Sequence, residues 1–265
     1  MKFNICASGL SGYFQEYANA VKLSLEEIGH TVDDVSVGKN PTPYKPNEVV
    51  IVIMGKGFKH KFPKDTINIL LFTEQWMNIE KYEKFCVGYD HIFDNFKSVQ
   101  ERRNTIFCPI GWSPAFETDI PHKNIHNYFL FGSGNPPHRK KWIAKYKNEI
   151  LYFYHGCFGR ERDKNIVESK INLMISGAKN WIFPTLHFIL VVSKGKFLAC
   201  DPHVDYYPYV PGKHVFVFDE FKECKKWLKD NEARKDFERK AYEDIKKNHS
   251  FTYYLGRALE ETKIK

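Results

Sequence analysis

A chain of 265 residues with 43% hydrophobic and 16% aromatic content can bury one large core or two smaller ones, which excludes a disordered protein. The formal charge of +8 favours polyanionic partners (nucleic acid, anionic glycan, nucleotide diphosphate) about as much as it favours a merely lysine-rich surface. Six cysteines without a CxxC pair, with Cys6, Cys108 and Cys200 inside apolar runs, exclude a disulfide scaffold and read as reduced core residues. The start, MKFNICASGL, is too short and polar for a secretion signal, and no apolar run reaches membrane-spanning length. A soluble, cytoplasmic protein without a membrane span is expected.

Residues 2–6 predict a short strand, followed by the loop Ala7-Ser8-Gly9-Leu10-Ser11-Gly12 and a helix from about Tyr13 to Ile28 with an apolar face. The next strand runs from Thr31 to Val37. Val49–Met54 (VVIVIM) and Ile67–Phe72 (INILLF) are nearly unbroken apolar runs, as expected of central parallel strands covered on both faces. Further strands are predicted at Tyr89–Phe93 and Thr105–Pro109, with a helix at Lys97–Arg103 between them. A boundary falls after Pro114.

The pattern then repeats. Strands are predicted at Tyr128–Gly132, Ile150–Tyr154, Ile171–Ile175, Phe197–Cys200 and Val215–Phe218, with helices at about Arg139–Lys147, Thr185–Lys194, Glu220–Lys229 and Ala233–Asn248. A last helical segment covers Phe251–Leu259. Alternation of this kind predicts an α/β protein of two Rossmann-like, doubly wound lobes with a cleft between them. The lobes are expected at 1–114 and 115–250, and 251–265 forms a C-terminal helix.

Several loops at strand ends carry chemistry-bearing residues. Gly9, Ser11 and Gly12 follow the first strand, where glycines admit close backbone approach to a ligand; an ordinary strand–helix turn is the alternative. Lys56 and Lys59, with His60, Lys61, Lys64 and interleaved Phe58 and Phe62, suit an anionic backbone or a solvated loop equally. Glu74 lies just past the INILLF strand, at its carboxyl edge, where it serves either as a catalytic acid–base group or as a helix-start acid. Gly132 and Ser133 followed by Arg139 suit a diphosphate at a helix start, or form a plain turn. Thr185 opens the helix that carries His187, and Asp201 ends the following strand as a candidate for sugar hydroxyls or as an Asp–Pro turn. No histidine or cysteine spacing suggests a metal site, and there is no nucleophile elbow.

The stretch from Pro184 to Asp201, PTLHFILVVSKGKFLACD, with Thr-Leu-His-x-x-Leu and a Gly eight residues after His187, resembles the donor-binding segment of GT-B glycosyltransferases. It is similar above all to phage DNA β-glucosyltransferases and CgeB-like spore-maturation glycosyltransferases, and Ser169-Lys170-Ile171-Asn172-Leu173 resembles a CgeB-type strand. The CgeB-like proteins carry Leu-Arg-x-x-Glu where this chain has His187 and Leu190. The resemblance implies a viral or bacterial, nucleotide-sugar-dependent hexosyltransferase-like enzyme, with a UDP-type donor held by the second lobe and an acceptor by the first. Gly132, Ser133, Arg139, Thr185, His187 and Asp201 would bind the donor, and Gly9, Ser11, Gly12, Lys56 and Lys59 the acceptor. Glu74 would be the general base of an inverting transfer. The implied acceptor is a modified DNA base or a glycan or surface polymer. No tightly bound cofactor is expected, and a divalent cation would ride on the diphosphate. The alternative is a non-catalytic nucleotide- or nucleic-acid-binding protein on the same scaffold.

Overall fold

A computed structural model gives the structure of the protein and describes residues 1–7, 14–37, 48–54, 65–72, 86–97, 105–132, 134–153, 157–178 and 181–264. The chain divides into two compact units, Met1–Ala115 with Ser250–Lys265, and Phe116–His249. The helices of the described residues are α1 (Gln15–Glu27), α2 (Pro137–Tyr146), α3 (Gly159–Glu168), α4 (Thr185–Val192), α5 (Phe221–Lys229), α6 (Asn231–Asn248) and α7 (Phe251–Thr262).

The first unit is built on a six-stranded sheet of β1 (Lys2–Ala7), β2 (Thr31–Val37), β3 (Val49–Met54), β4 (Ile67–Phe72), β5 (His91–Asp94) and β6 (Ile106–Phe107). All pairings are parallel, in the order β2-β1-β3-β4-β5-β6. The unbroken apolar sequence of β3 has its physical reason here: Val49 to Ile53 are all fully buried, with Ile51 between Ile5 and Ile69. Helix α1 buries Tyr17, Ala18, Val21 and Leu25, the stripe that a 3.6-residue period predicts. Helix α7 belongs to this unit. Its Phe251 ring lies 5.5 Å from Tyr17, and Thr252 Oγ1 donates to Glu27 Oε2 at 2.7 Å. At the carboxyl edge of the sheet, Asn95 Nδ2 donates to the Phe72 carbonyl at 3.0 Å and so anchors the end of β4.

The second unit has five parallel strands, β7 (His126–Phe131), β8 (Leu151–Phe153), β9 (Ser169–Met174), β10 (Leu198–Cys200) and β11 (Phe216–Val217), in the order β11-β10-β9-β7-β8. One face carries Tyr128, Leu130, Ile171, Leu173, Phe197 and Ala199, every second residue of its strand, under α2 and α5. Each sheet starts near its middle, steps outward by one strand and then crosses back. The strand order therefore reverses between β1 and β3 in the first unit and between β7 and β9 in the second. Open α/β sheets bind ligands outside the carboxyl ends of the strands at such a reversal.

The α/β class and its two doubly wound sheets agree with the sequence reading. Helix α3, which the sequence reading does not anticipate, is a finding of the structure. Its sequence, GRERDKNIVE, has no apolar stripe, yet it buries Arg162 and Asp163 by pairing them, with Nη2–Oδ1 at 2.8 Å. The Lys-Gly-Lys turn after α4 also departs from expectation. Lys194 and Lys196 are 4% and 3% exposed, and they hold the entry of the unit: Lys194 Nζ donates to the Phe116 carbonyl at 2.6 Å, and Lys196 Nζ to Asn124 Oδ1 at 2.9 Å. Burial pushes the Lys196 ammonium down to about 8. The expected helix at Lys97–Arg103 lies almost wholly outside the described residues. None of the six cysteines forms a disulfide, and burial pushes the thiols of Cys108, Cys200 and Cys224 well above their usual range, the opposite of a reactive thiolate. Among the described residues no helix is long and apolar enough to cross a membrane.

Candidate anion-binding site in the second unit

The loops that follow β7 and β9, on either side of the strand reversal, meet the first turns of α2 and α4. Gly132, directly after β7, has φ +115°, a conformation that side chains rarely adopt. A Cβ built on it would lie 3.5 Å from Arg139 Nη1 and 3.5 Å from His187 Cε1, so the guanidinium and the imidazole flank the same bare stretch of backbone. Arg139 is aimed by its own Nε, which donates to the Ile175 carbonyl just past β9 at 2.7 Å. Helix α4 begins at Thr185, which is 2% exposed, and its cap residue, Pro184, supplies no side-chain hydrogen bond to the first turn. The first amides of a helix have no intrahelical acceptor, and the helix dipole makes that end positive. Among the residues of α4 only His187 is not fully buried; Leu190 is 1% exposed. The position that carries Glu in the CgeB-like proteins is a core position here.

Asp201, at the end of β10, ties these loops together. Its Oδ1 accepts from the Ser176 amide at 2.7 Å, and its Oδ2 accepts from Ser176 Oγ at 2.5 Å and faces His138 Nε2 at 3.1 Å. The chain of contacts closes on itself: Arg139 holds Ile175, Ser176 holds Asp201, and Asp201 holds His138, the neighbour of Arg139. Both carboxylate oxygens are thus engaged within the unit, and Asp201 organises these loops. Gly177 completes the turn after β9. A Cβ there would come within 2.8 Å of the Trp181 ring, so only glycine lets that ring lie against the backbone.

The site is electropositive without being fully charged. Burial pushes the His187 imidazole down to about 3, helped by Arg139, Arg162 and His203, so the ring is neutral and Arg139 supplies the fixed charge. His203 is also pushed down, first by burial and then by Arg139, against the opposing pull of Asp201. Its Nε2 is buried and has no hydrogen-bond partner among the described residues.

Of the residues singled out in the sequence, Gly132, Arg139, Thr185, His187 and Asp201 fall in this one region. Ser133, Gly9, Ser11, Gly12, Lys56, Lys59 and Glu74 lie outside the described residues. In sequence, Gly9–Gly12 and Lys56–Lys59 come after β1 and β3, the strands that flank the reversal of the first sheet, and Glu74 comes two residues after the end of β4. His138 and Ser176 were missed. The Pro-Pro-His-Arg run at the start of α2 is the only local signal for the first, and nothing local marks the second.

A group of His214, Asp244 and His249 brings ligand atoms within 4.8 Å of one another, close enough to raise the question of a cation. Its hydrogen bonding argues against one. His214 Nδ1 accepts from the Val210 amide at 2.9 Å, so Nε2 carries the hydrogen and donates to Asp244 Oδ2 at 2.6 Å. A metal on Nε2 would require the reverse, with Nδ1–H donating outward. Lys213 Nζ already neutralises the same oxygen at 2.8 Å. Partial burial works against ionisation of Asp244, but hydrogen bonds from Lys213, His214 and Asn248 outweigh it and hold the carboxyl well below its usual range. The cluster fastens the 210–214 loop to α6.

No family model and no curated protein matches the sequence. Solved structures do. The chain is similar along 99% of its length to AviGT4, a glycosyltransferase involved in avilamycin A biosynthesis (97% of that chain, TM-score 0.65, 15% identity). It is similar to the DNA-modifying enzyme β-glucosyltransferase, studied in the presence and absence of uridine diphosphoglucose, over 99% of both chains (TM-score 0.58, 13% identity). The Anabaena protein HepE, in complex with UDP-glucose, matches over 98% of this chain and 99% of its own (TM-score 0.64, 7% identity). Two doubly wound parallel sheets in one chain and these chain-long matches define the class: the protein has the GT-B fold of nucleotide-sugar glycosyltransferases.

Proposed function

We propose that the protein is a glycosyltransferase that moves a sugar from a nucleotide diphosphate, held by the second unit, to an acceptor hydroxyl held by the first. The observation that carries the reading is the pairing of Arg139 and His187 across Gly132, beside the open first turn of α4, at the strand reversal of the second sheet. That arrangement suits a diphosphate: one fixed cation, helix amides and a backbone without side chains. Gly132, Ser133, Thr185, Arg139 and His187 are the donor-binding residues of this proposal, and Asp201 shapes their loops. Uridine is the first nucleotide to test, because the similar proteins with a named nucleotide bind UDP-glucose. A divalent ion, if used, would sit on the diphosphate. The unpaired thiols suit a reducing, intracellular compartment.

A panel of nucleotide sugars followed by thermal melting tests the reading. The cognate donor at about a hundred times its dissociation constant is expected to add roughly 2.7 kcal/mol of stability. No shift with any nucleotide or nucleotide sugar would remove the basis of the proposal. Leu190, buried where the CgeB-like proteins carry Glu, favours a second reading: a binding protein that kept the scaffold without the reaction. Donor binding without release of the nucleoside diphosphate in the presence of acceptors would select it.

The acceptor in this proposal meets Gly9, Ser11, Gly12, Lys56 and Lys59, and the charge of +8 favours an anionic polymer. If that polymer is DNA carrying a modified base, affinity for duplex DNA falls with salt at a log–log slope of about −0.9 per phosphate contacted. Joint neutralisation of Lys56 and Lys59 flattens the slope. Transfer to an oligosaccharide without salt-sensitive DNA binding assigns the acceptor to the glycans.

A further inference from the structure

Two imidazoles of the site each give one ring nitrogen to Asp201. His138 Nε2 lies 3.1 Å from the Asp201 carboxylate, and His203 Nδ1 lies 2.6 Å from the Asp201 backbone carbonyl. Carboxylate and carbonyl oxygens accept hydrogen bonds, so in both rings the bonded nitrogen carries the hydrogen. The remaining nitrogen, Nδ1 of His138 and Nε2 of His203, is then a lone pair whenever the ring is neutral. A lone pair repels a phosphate oxygen. It becomes a donor only when the ring takes a second proton.

Building on the donor-site reading above, we propose that Asp201 is a positioning residue that locks His138 and His203 in this tautomer, so that the diphosphate of a nucleotide sugar enters the site together with protons. The protons come from solvent and bind at His138 Nδ1 and His203 Nε2. Asp201 then serves as the counter-charge of the His138 imidazolium. The placement of the two rings suits the role. His138 is half exposed on the first turn of α2, next to Arg139, and Asp201 is its partner from β10. The His203 side chain is fully buried, and its Nε2 has no hydrogen-bond partner among the described residues, as expected of a group whose partner arrives with the ligand.

Among the described residues, the charged and titratable groups around the pair are Asp201 after β10, Arg139 on α2 and His187 on α4, with Tyr206 against the His203 ring. Burial and then Arg139 push both His187 and His203 toward the neutral form, and Arg162 adds to this at His187. A diphosphate brings the opposite charge and raises the proton affinity of every imidazole near it, so binding tightens as the pH falls. Ser176, bonded to both carboxylate oxygens, fixes the Asp201 rotamer against which His138 is set.

Calorimetric titration with UDP-glucose tests this, because its diphosphate diester has no proton to exchange near neutrality. The titration is run at about pH 8, where imidazoles of ordinary pKa are neutral, in two buffers of different ionisation heat. The expected result is an unequal heat in the two buffers, reporting net proton uptake. Affinity should rise as the pH is lowered toward about 6.5, by at most about tenfold per pH unit for each proton. His138→Gln keeps a side-chain donor for Asp201 but cannot be charged, and Asp201→Asn removes the counter-charge. Each should bind UDP-glucose with less proton uptake and a flatter pH profile. Equal heats in both buffers with a flat profile, or uptake unchanged in both variants, would overturn the proposal and leave the donor-site reading standing. If neither UDP-glucose nor UDP binds, both fail together.

Discussion

Glu74→Gln is expected to lower turnover by about 10²–10⁴ while leaving donor affinity nearly unchanged, the range for loss of a positioned general base. The ground is topological. Strand β4 pairs with β3 and β5 inside the first sheet, and its last carbonyl is anchored by Asn95. Thr73 and Glu74 follow directly, so the carboxylate enters the sequence at the carboxyl edge of a central strand, on the unit proposed to hold the acceptor. Glutamine preserves volume and most hydrogen bonds and removes only the basicity. Base-assisted single displacement inverts the anomeric centre, so product stereochemistry checks the same claim independently. Near-normal turnover in the variant, or a product of retained configuration, would return Glu74 to the role of a helix-start acid.

The largest effect on stability is expected at Lys194. Its ammonium is almost fully buried, 3.3 Å from Asp163 Oδ1 and 2.6 Å from the Phe116 carbonyl, while Asp163 is also held by Arg162. Lys194→Met keeps the stem volume, leaves Arg162 and Asp163 as a one-to-one pair and takes the donor from the Phe116 carbonyl. A buried acceptor left without its donor costs about 1–3 kcal/mol, and the lost attraction to Asp163 puts the expected loss near the upper end. Denaturant unfolding checks it: the midpoint should fall with the slope unchanged. Lys235→Met, on an exposed face of α6, should stay within about 0.5 kcal/mol of the parent. A Lys194 variant as stable as the Lys235 variant would mean that the buried ammonium contributes little.

Lys194 and Lys196 also show where sequence reasoning stops. Apolar runs such as VVIVIM and INILLF announce central parallel strands because burial on both faces leaves no room for polar residues. The helix PTLHFILVV is legible for the same reason, and glycines beside Arg139 mark a strand-to-helix turn suited to an anion. Lys194-Gly195-Lys196, by contrast, looks like any solvated turn, since nothing nearby in sequence shows that Phe116, Asn124 and Asp163 wait as partners. Helix α3 is hidden in the same way, with its charged residues buried by pairing instead of by an apolar stripe. Asp201 is legible as a residue at a strand end, but its partners are not. Its carboxylate is engaged by Ser176, 25 residues before it, and His138, 63 residues before it, and such long-range satisfaction leaves no local pattern.

The central claim, that the second unit is a nucleotide-diphosphate site built on Arg139, is tested most directly by calorimetric titration of UDP into the parent protein and Arg139→Ala. Arg139 supplies the fixed positive charge at Gly132, and hydrogen bonds to a charged group contribute about 1.5–3 kcal/mol, so the variant should bind roughly ten- to a hundredfold more weakly with its fold intact. Equal affinity in the two proteins, or no binding of UDP by the parent, would contradict the account.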